Sequence, residues 1–313
     1  MKDFSECNIR VFCRGCGIAL CHFEKRASNL ACSNRVDYFT PKGNKMFSLK
    51  TCAKECLPPV ILRAIRSFHG GGIRFEGSYA TWEEAASVCS GYDAEHILAK
   101  VLDAMLKVKR GEAVYERDSV LFDEIEYSWP VLAGLMWSAA QNAGRLNVLD
   151  FGGALGSSYF QNKQFLDTLS DVHWSIVEQN HFVQAGKTYF EDERLTFWSD
   201  IDDCVKALSP NTLLLSSVIQ YLKDPYLLLQ KVKSRNFEYI IFDRTPFVLD
   251  GNDILTVQKV PREIYAASYP CWFFGKQRFY AFFEDEYTVV AKFPSLDKAN
   301  RPSTFEGCIF RKK

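Results

Sequence analysis

From residue 147 onward short apolar runs alternate with helical stretches of roughly ten to fifteen residues, a rhythm that predicts βαβ units around a parallel sheet. Strands are expected at 147–151, 174–178, 195–198, 212–216 and 239–243, with a helix after each of the first four. The last two apolar runs, 287–293 and 304–310, have no helical pattern between them and predict a closing antiparallel hairpin, for a mostly parallel α/β sheet of seven strands. Upstream, Ile97, Leu98, Val101, Leu102, Met105, Leu106 and Val108 recur at helical spacing within 94–109, and 130–143 reads as a second apolar helix. Thr81 followed by Glu84 predicts a capping box at the start of a further helix, just past the flexible break His69-Gly70-Gly71-Gly72.

The N-terminal segment has neither a helical nor a strand period. It holds Cys7, Cys13, Cys16, Cys21, Cys32, Cys52 and Cys56, seven of the eleven cysteines in the chain. Cys13, Cys16, Cys21 and His22 offer ligands enough for a tetrahedral zinc site, but no second close pair stands at ribbon spacing. Burial in a reducing compartment explains these thiols without a metal, and no metal site is expected. Another reading starts the working chain at Met46, where an amphipathic pattern opens and runs through a helix at 58–68. Val60, Ile61, Ala64 and Ile65 oppose Arg63 and Arg66 there, a face suited at most to weak peripheral membrane contact and more simply to burial on the rest of the protein. The expected organisation is a Cys-rich extension at 1–45, a helical region at 46–143 covering the ligand site, and an α/β domain at 144–313.

Composition narrows the function. Lysine plus arginine equals aspartate plus glutamate, 38 against 38, so no global basic field exists to draw nucleic acid or anionic lipid. With 47% hydrophobic and 24% charged residues the chain is expected to fold as a globular protein. Its longest apolar stretches, such as 131–137, fall well short of the ~20 residues of a transmembrane helix. The first residues lead into no apolar signal core, so a cytoplasmic location is expected.

The chemistry-bearing residues cluster at the predicted strand ends. Val148-Leu149-Asp150-Phe151-Gly152-Gly153-Ala154-Leu155-Gly156 is an apolar strand running into an acid and a glycine-rich turn before a helix. Ligands of open parallel sheets bind beyond the carboxyl ends of the strands near the switch in strand order, where glycines admit close backbone approach. Asp150 stands two residues ahead of the first glycine and is suited to placing an ammonium. Glu178 ends the next strand, where a carboxylate accepts hydrogen bonds from ribose hydroxyls. Asp200 ends the third and is suited equally to an adenine pocket or to an N-cap. Ser216, Ser217 and Tyr221 follow the fourth strand. The fifth ends in Asp243 and Arg244; Asp243 is the candidate base or acceptor-orienting group, with a salt bridge to Arg244 as the alternative. The aromatic segment 265–274, with Tyr269 and Trp272, is expected to be a loop because of Pro270, and its rings suit the C–H face of a sugar. Arg117 and Asp118 are expected to close over the same cavity.

These residues resemble motif I and the following motifs of class I S-adenosylmethionine-dependent methyltransferases. The likeness is closer to a bacterial methyltransferase family often encoded among surface-polysaccharide (O-antigen and capsule) genes. It runs from about Leu57 to the C-terminus on Gly77-Ser-Tyr-Ala-Thr-Trp82, Tyr115-Glu-Arg-Asp-Ser119, the Asp150 turn continuing to Ser157-Ser-Tyr159, Val177-Glu-Gln179, Ser216-Ser217 with Gln220-Tyr221, Asp243-Arg-Thr-Pro246 and Ala267-Ser-Tyr-Pro-Cys-Trp272. The resemblance implies a Rossmann-like class I methyltransferase fold, S-adenosylmethionine as cofactor and a sugar-pathway context. Cofactor binding is then expected at Asp150, Gly152, Gly153, Gly156, Tyr159, Glu178, Gln179, Asp200, Ser216, Ser217 and Arg117, and catalysis at Asp243, Tyr221, Tyr269 and Arg244. The expected reaction is O-methylation of a sugar or related small molecule. A non-catalytic S-adenosylmethionine-binding pathway partner and a nicotinamide-dependent oxidoreductase on the same architecture are the alternatives, and cofactor preference separates the latter.

Overall fold

The chain divides into two compact units, Met1–Leu57 and Pro58–Lys313. A computed structural model describes β1 (Arg10–Cys13) and β2 (Gly17–Leu20), an antiparallel pair, in the first unit. In the second it describes residues 72–90, 94–117, 119–249, 251–261, 267–295 and 297–313. The expectations for cysteine ligation in the first unit, for a helix at 58–68, for Asp118 and for Tyr265 fall outside the described residues.

The second unit opens with β3 (Arg74–Tyr79), α1 (Trp82–Ser87), α2 (Ala94–Lys109), β4 (Tyr115–Arg117), β5 (Val120–Phe122) and α3 (Trp129–Gln141). Thr81 caps α1 by accepting the Glu84 N–H at 3.2 Å, while the Glu84 carboxylate reaches back to the Ala80 N–H at 3.0 Å, a capping box displaced by one donor. In α2 the expected stripe is realised, with Ile97, Val101 and Met105 buried. The βα repeat then runs β6 (Arg145–Phe151), α4 (Ser157–Leu166), β7 (Asp171–Val177), α5 (Asn180–Tyr189), β8 (Leu195–Trp198), α6 (Ile201–Leu208), β9 (Thr212–Ser216), α7 (Pro225–Ser234) and β10 (Tyr239–Val248). The chain closes with β11 (Ile254–Val260), β12 (Ala267–Gly275), α8 (Lys276–Ala281), β13 (Tyr287–Pro294) and β14 (Thr304–Lys312).

Strands β8-β7-β6-β9-β10 lie side by side and parallel, and β14 and β13 continue the sheet antiparallel beyond β10. The chain winds outward from β6 through β7 to β8, returns to β9 and winds the other way, so the switch in strand order falls between β6 and β9. Helices α2, α3, α4 and α5 bury one face through Ile97, Val131, Leu166, Phe182 and their neighbours. Helices α6, α7 and α8 bury the other through Ile201, Leu229 and Phe279. This is the Rossmann-like α/β architecture expected of the sequence. Among the described residues no helix is long and apolar enough to cross a membrane.

Two expectations are corrected. The sheet has ten strands rather than seven, because β10 outruns β9. Their register ends at Asp243↔Ser216, a bulge interrupts pairing with β14 between Phe242 and Thr245, and β10 then pairs in parallel with β12 at Phe247↔Phe274 and Val248↔Gly275. Through β12 the sheet continues to β11 and β3. The second correction concerns 265–274, whose described part is strand rather than loop. Pro270 is buried in β12 opposite Val257. Since β12 meets β10 only at its last two residues, one edge of the strand has no ladder at Pro270, and a residue without an N–H is tolerated there.

Candidate functional site

Strand alternation sends Asp150, Ser216 and Asp243 to the same face of the sheet, the first two at the carboxyl ends of β6 and β9 and Asp243 where β10 runs past the end of β9. Asp150 is 1% exposed and accepts a hydrogen bond from Trp174 Nε1 at 3.1 Å. Burial pushes its carboxyl up to about 7, against the Trp174 bond; the Glu178 charge pushes it further up and Arg244 pulls it down. A proton held by the folded state and released by the unfolded chain makes stability fall as pH rises from 3.8 to about 7, by about 4 kcal/mol at most. Asp150→Asn is therefore expected to melt higher than the parent at pH 8 without ligand, with the difference vanishing near pH 4. A thermal-denaturation series across that range reads it.

Above Asp150 the turn is built on left-handed backbone. Gly152 has φ +74° and donates to Val177 O at 2.9 Å, Ala154 has φ +50°, and Gly156 has φ +98° at the N-cap of α4. A Cβ on Gly152 would lie 2.4 Å from Val218 Cγ2, so this glycine lets the turn after β6 touch the turn after β9 across the switch point. A Cβ on Gly153 would lie 2.5 Å from Asp150 Oδ2. Glu178, half-buried past the end of β7, accepts the Gln179 N–H at 2.7 Å. Burial raises its pKa, while the Gln179 and Ala154 backbone N–H groups and His181 hold it down. Glu178 thus reaches from the β7 end to the glycine turn.

Ser217 (φ +54°), just past the end of β9, and Arg244 (φ +52°), in the bulge of β10, repeat the left-handed device. Asp243 is 6% exposed and accepts from Ser216 Oγ at 3.0 Å, with Arg244 Nε at 3.7 Å. Burial raises its pKa, Arg244 and Ser216 oppose that, and the Asp297 charge adds to it. Asp243 is thus ion-paired with Arg244 while burial raises its pKa. Asp297 lines a cleft of about 540 Å³ with Ser295, Lys298, Thr304 and Glu306. Gln220, fully buried, donates to Ser217 Oγ at 3.1 Å and ties the two turns through Arg244 O at 3.4 Å.

Tyr221 and Tyr269 meet through a residue that sequence reasoning missed. Tyr221 donates to Gln258 Oε1 at 2.9 Å, Gln258 Nε2 donates to Tyr269 Oη at 3.1 Å, and the two rings stand edge to face at 5.2 Å. Gln258 is 3% exposed in β11, and a polar residue inside the apolar run Ile254–Val260 was the available signal. Trp272 Nε1 donates to Leu222 O at 3.0 Å, fixing β12 against the turn after β9.

Three expected residues are not brought to this cluster. Tyr159 is 2% exposed in the core, packed on Phe160 and Trp174, and the charges that reach its hydroxyl are Lys163, Asp192, Arg194 and Asp167. Arg117 lies beside the Phe122 ring and pairs with Glu126 at 3.5 Å. Asp200 is an N-cap: Oδ1 accepts from the Asp202 and Asp203 N–H groups at 2.6 and 3.3 Å, and Oδ2 faces Lys231 at 3.4 Å. The neighbour of Arg117 was overlooked. Glu116 is 2% exposed and accepts from Ser157 Oγ at 2.5 Å and from the Ser119 N–H at 2.6 Å. Among the described residues no group of His, Cys, Asp and Glu is arranged to hold a metal ion.

No protein-family model matches the sequence, and no curated protein matches it. Solved structures similar to it include the N-terminal domain of EvdMO1 crystallised with S-adenosylhomocysteine and D-fucose, at 13% identity over 71% of this chain and 98% of that one, TM-score 0.43. A S-adenosylmethionine-dependent methyltransferase from Clostridium acetobutylicum matches at 10% identity over 70% of this chain and 99% of that one, TM-score 0.41. The 1,6-didemethyltoxoflavin-N1-methyltransferase of Burkholderia thailandensis matches at 14% identity over 77% and 99%, TM-score 0.36. At these values the likeness assigns neither ligand nor substrate to this chain.

Proposed function

We propose that this protein is a S-adenosylmethionine-dependent methyltransferase of the cytoplasm that methylates a hydroxyl of a sugar or related small molecule in surface-polysaccharide biosynthesis. The supporting observation is the switch-point cradle: two glycines whose Cβ atoms would collide, above a buried acid, with a second acid reaching in from the next strand. These residues fit the cofactor. Asp150 is set to place an ammonium, Glu178 to accept from ribose hydroxyls, and Gly152 and Gly153 let the turn close down on Val218 and Asp150. When bound, S-adenosylmethionine supplies an electrophilic methyl group on a sulfonium.

The protein's own work is positioning and proton handling. Asp243, oriented by Ser216 and with its proton affinity raised by burial, accepts the proton of the acceptor hydroxyl as the oxygen attacks. Arg244, 3.7 Å from that carboxylate, favours its ionised form before the transfer, and the positive charge of the sulfonium and the negative charge of the carboxylate are both consumed as the ether forms. Tyr221 and Tyr269, braced by Gln258, form the wall of the acceptor pocket. The sugar-pathway context rests on the sequence resemblance, and the aromatic wall is compatible with a pyranose face.

S-adenosylhomocysteine at ~100 times its dissociation constant is expected to stabilise the parent by ~2.7 kcal/mol, seen as a raised melting temperature. Glu178→Ala is expected to lose most of that rise. Calorimetric binding of the variant as tight as the parent's would remove the ribose assignment.

A further inference from the structure

We infer that Trp174 is a positioning residue for the ligand's ammonium, its buried indole N–H holding the Asp150 carboxylate in the orientation that group needs. The inference rests on the reading that Asp150 places an ammonium at the glycine turn.

The pairing of β6 with β7 sets Trp174 opposite Val148, two residues behind Asp150 and on the same face of the sheet. Diagonal neighbours across a strand pair lie within reach of an aromatic side chain, and Trp174 Nε1 donates to Asp150 Oδ2 at 3.1 Å. The indole is fully buried and packs on the Tyr159 ring at 5.9 Å, which fixes the direction of the N–H. On the other side the glycine turn closes over the acid, since a Cβ on Gly153 would lie 2.5 Å from Oδ2 and 3.0 Å from Oδ1. With Oδ2 engaged by the indole, Oδ1 is the oxygen left for a cation.

A buried indole needs only an acceptor, and a backbone carbonyl would serve. A carboxylate at 1% exposure needs more, a donor that favours its charge. Burial drives Asp150 toward the protonated acid, the indole bond is the largest influence against it, Glu178 beyond β7 adds to the burial effect, and Arg244 in the β10 bulge opposes it. From β9, Leu214 stands opposite Asp150 and brings no charge. From α4 comes Tyr159, whose hydroxyl is reached by Lys163, Asp192, Arg194 and Asp167. Trp174 therefore both turns the carboxylate and keeps it ionised for an ammonium, and removing its N–H moves the onset of binding to higher pH.

The test titrates the full chain calorimetrically with S-adenosylhomocysteine and with adenosine at pH 6, 7 and 8.5, in the parent, in Trp174→Phe and in Asp150→Asn. Adenosine lacks the ammonium and reports on the nucleoside pocket and on folding. Because the Asp150 carboxyl is pushed up to about 7, the parent's preference for S-adenosylhomocysteine over adenosine is expected to rise about tenfold from pH 6 to pH 8.5. In Trp174→Phe, which keeps an aromatic ring, that preference is expected to be about fivefold below the parent's at pH 7 and within about twofold of it at pH 8.5. Asp150→Asn is expected to lose the pH dependence. Should Trp174→Phe fail to fold, the Trp174 indole N–H resonance of the ¹⁵N-tryptophan-labelled parent is expected to titrate with a midpoint of about 7 and to stop titrating in Asp150→Asn. A preference in Trp174→Phe that tracks the parent's, a loss of equal size at all three pH values, or an indole resonance that does not titrate overturns the inference. A parent that binds both ligands equally at every pH, or neither of them, instead overturns the ammonium reading on which it rests.

Discussion

Gly152→Ala is expected to lose S-adenosylhomocysteine binding by at least tenfold and to melt several degrees below the parent. The added Cβ would sit 2.4 Å from Val218 Cγ2, and the backbone there has φ +74°, where an L side chain is strained. Relief requires the β6 and β9 turns to separate, which opens the switch point. Overpacking of this kind costs about 1–3 kcal/mol, with about 1 kcal/mol more for the left-handed residue. Val218→Ala in the same chain removes the struck methyl groups and is expected to recover part of the stability but not the strain. Circular dichroism melts together with calorimetry separate the two contributions.

Asp243→Asn is expected to lower methyl transfer about a hundredfold while leaving S-adenosylhomocysteine affinity within a few-fold of the parent. The asparagine keeps the volume and the bond from Ser216 but takes up no proton, and general-base catalysis contributes ~10²–10⁴ in rate. Tyr269→Phe, which removes the hydroxyl bonded to Gln258, is expected to cost about tenfold, ~1.4 kcal/mol of transition-state stabilisation. Both are read as label passing from methyl-labelled S-adenosylmethionine into a saccharide fraction. Full turnover by both variants would move the acceptor pocket away from the β9 and β10 ends.

Much of the sheet was legible because its signals are local. Each of β6, β7, β8 and β9 is an apolar run with a helix between it and the next strand, and the hairpin β13–β14 announces itself by the missing helix. The bulge at Asp243 and the strands that join beyond it were not legible. The bulge belongs to the pairing of β10 with β14, strands roughly sixty residues apart, and β12 joins where β10 runs on past β9; no window of residues reports either. Pro270 misled for a related reason: its effect depends on which strand edge is paired, a property of the whole sheet. In the site, the acids at strand ends could be found from the pattern alone, since Asp150, Glu178 and Asp243 each close an apolar run. Gln258 and Glu116 act across long separations in sequence, through Tyr221 and Ser157, and only the fold brings those partners together. Asp200 suited two roles in the sequence, and the geometry of its carboxylate shows it working as an N-cap.

The cradle formed by Asp150, Gly152, Gly153 and Glu178 is expected to bind a sulfonium cofactor. Calorimetric titration of the intact protein with S-adenosylhomocysteine and, separately, with NAD⁺ tests it most directly. One site per chain is expected for S-adenosylhomocysteine, lost on Glu178→Ala, with no heat from NAD⁺. Saturable NAD⁺ binding with no response to S-adenosylhomocysteine would contradict it.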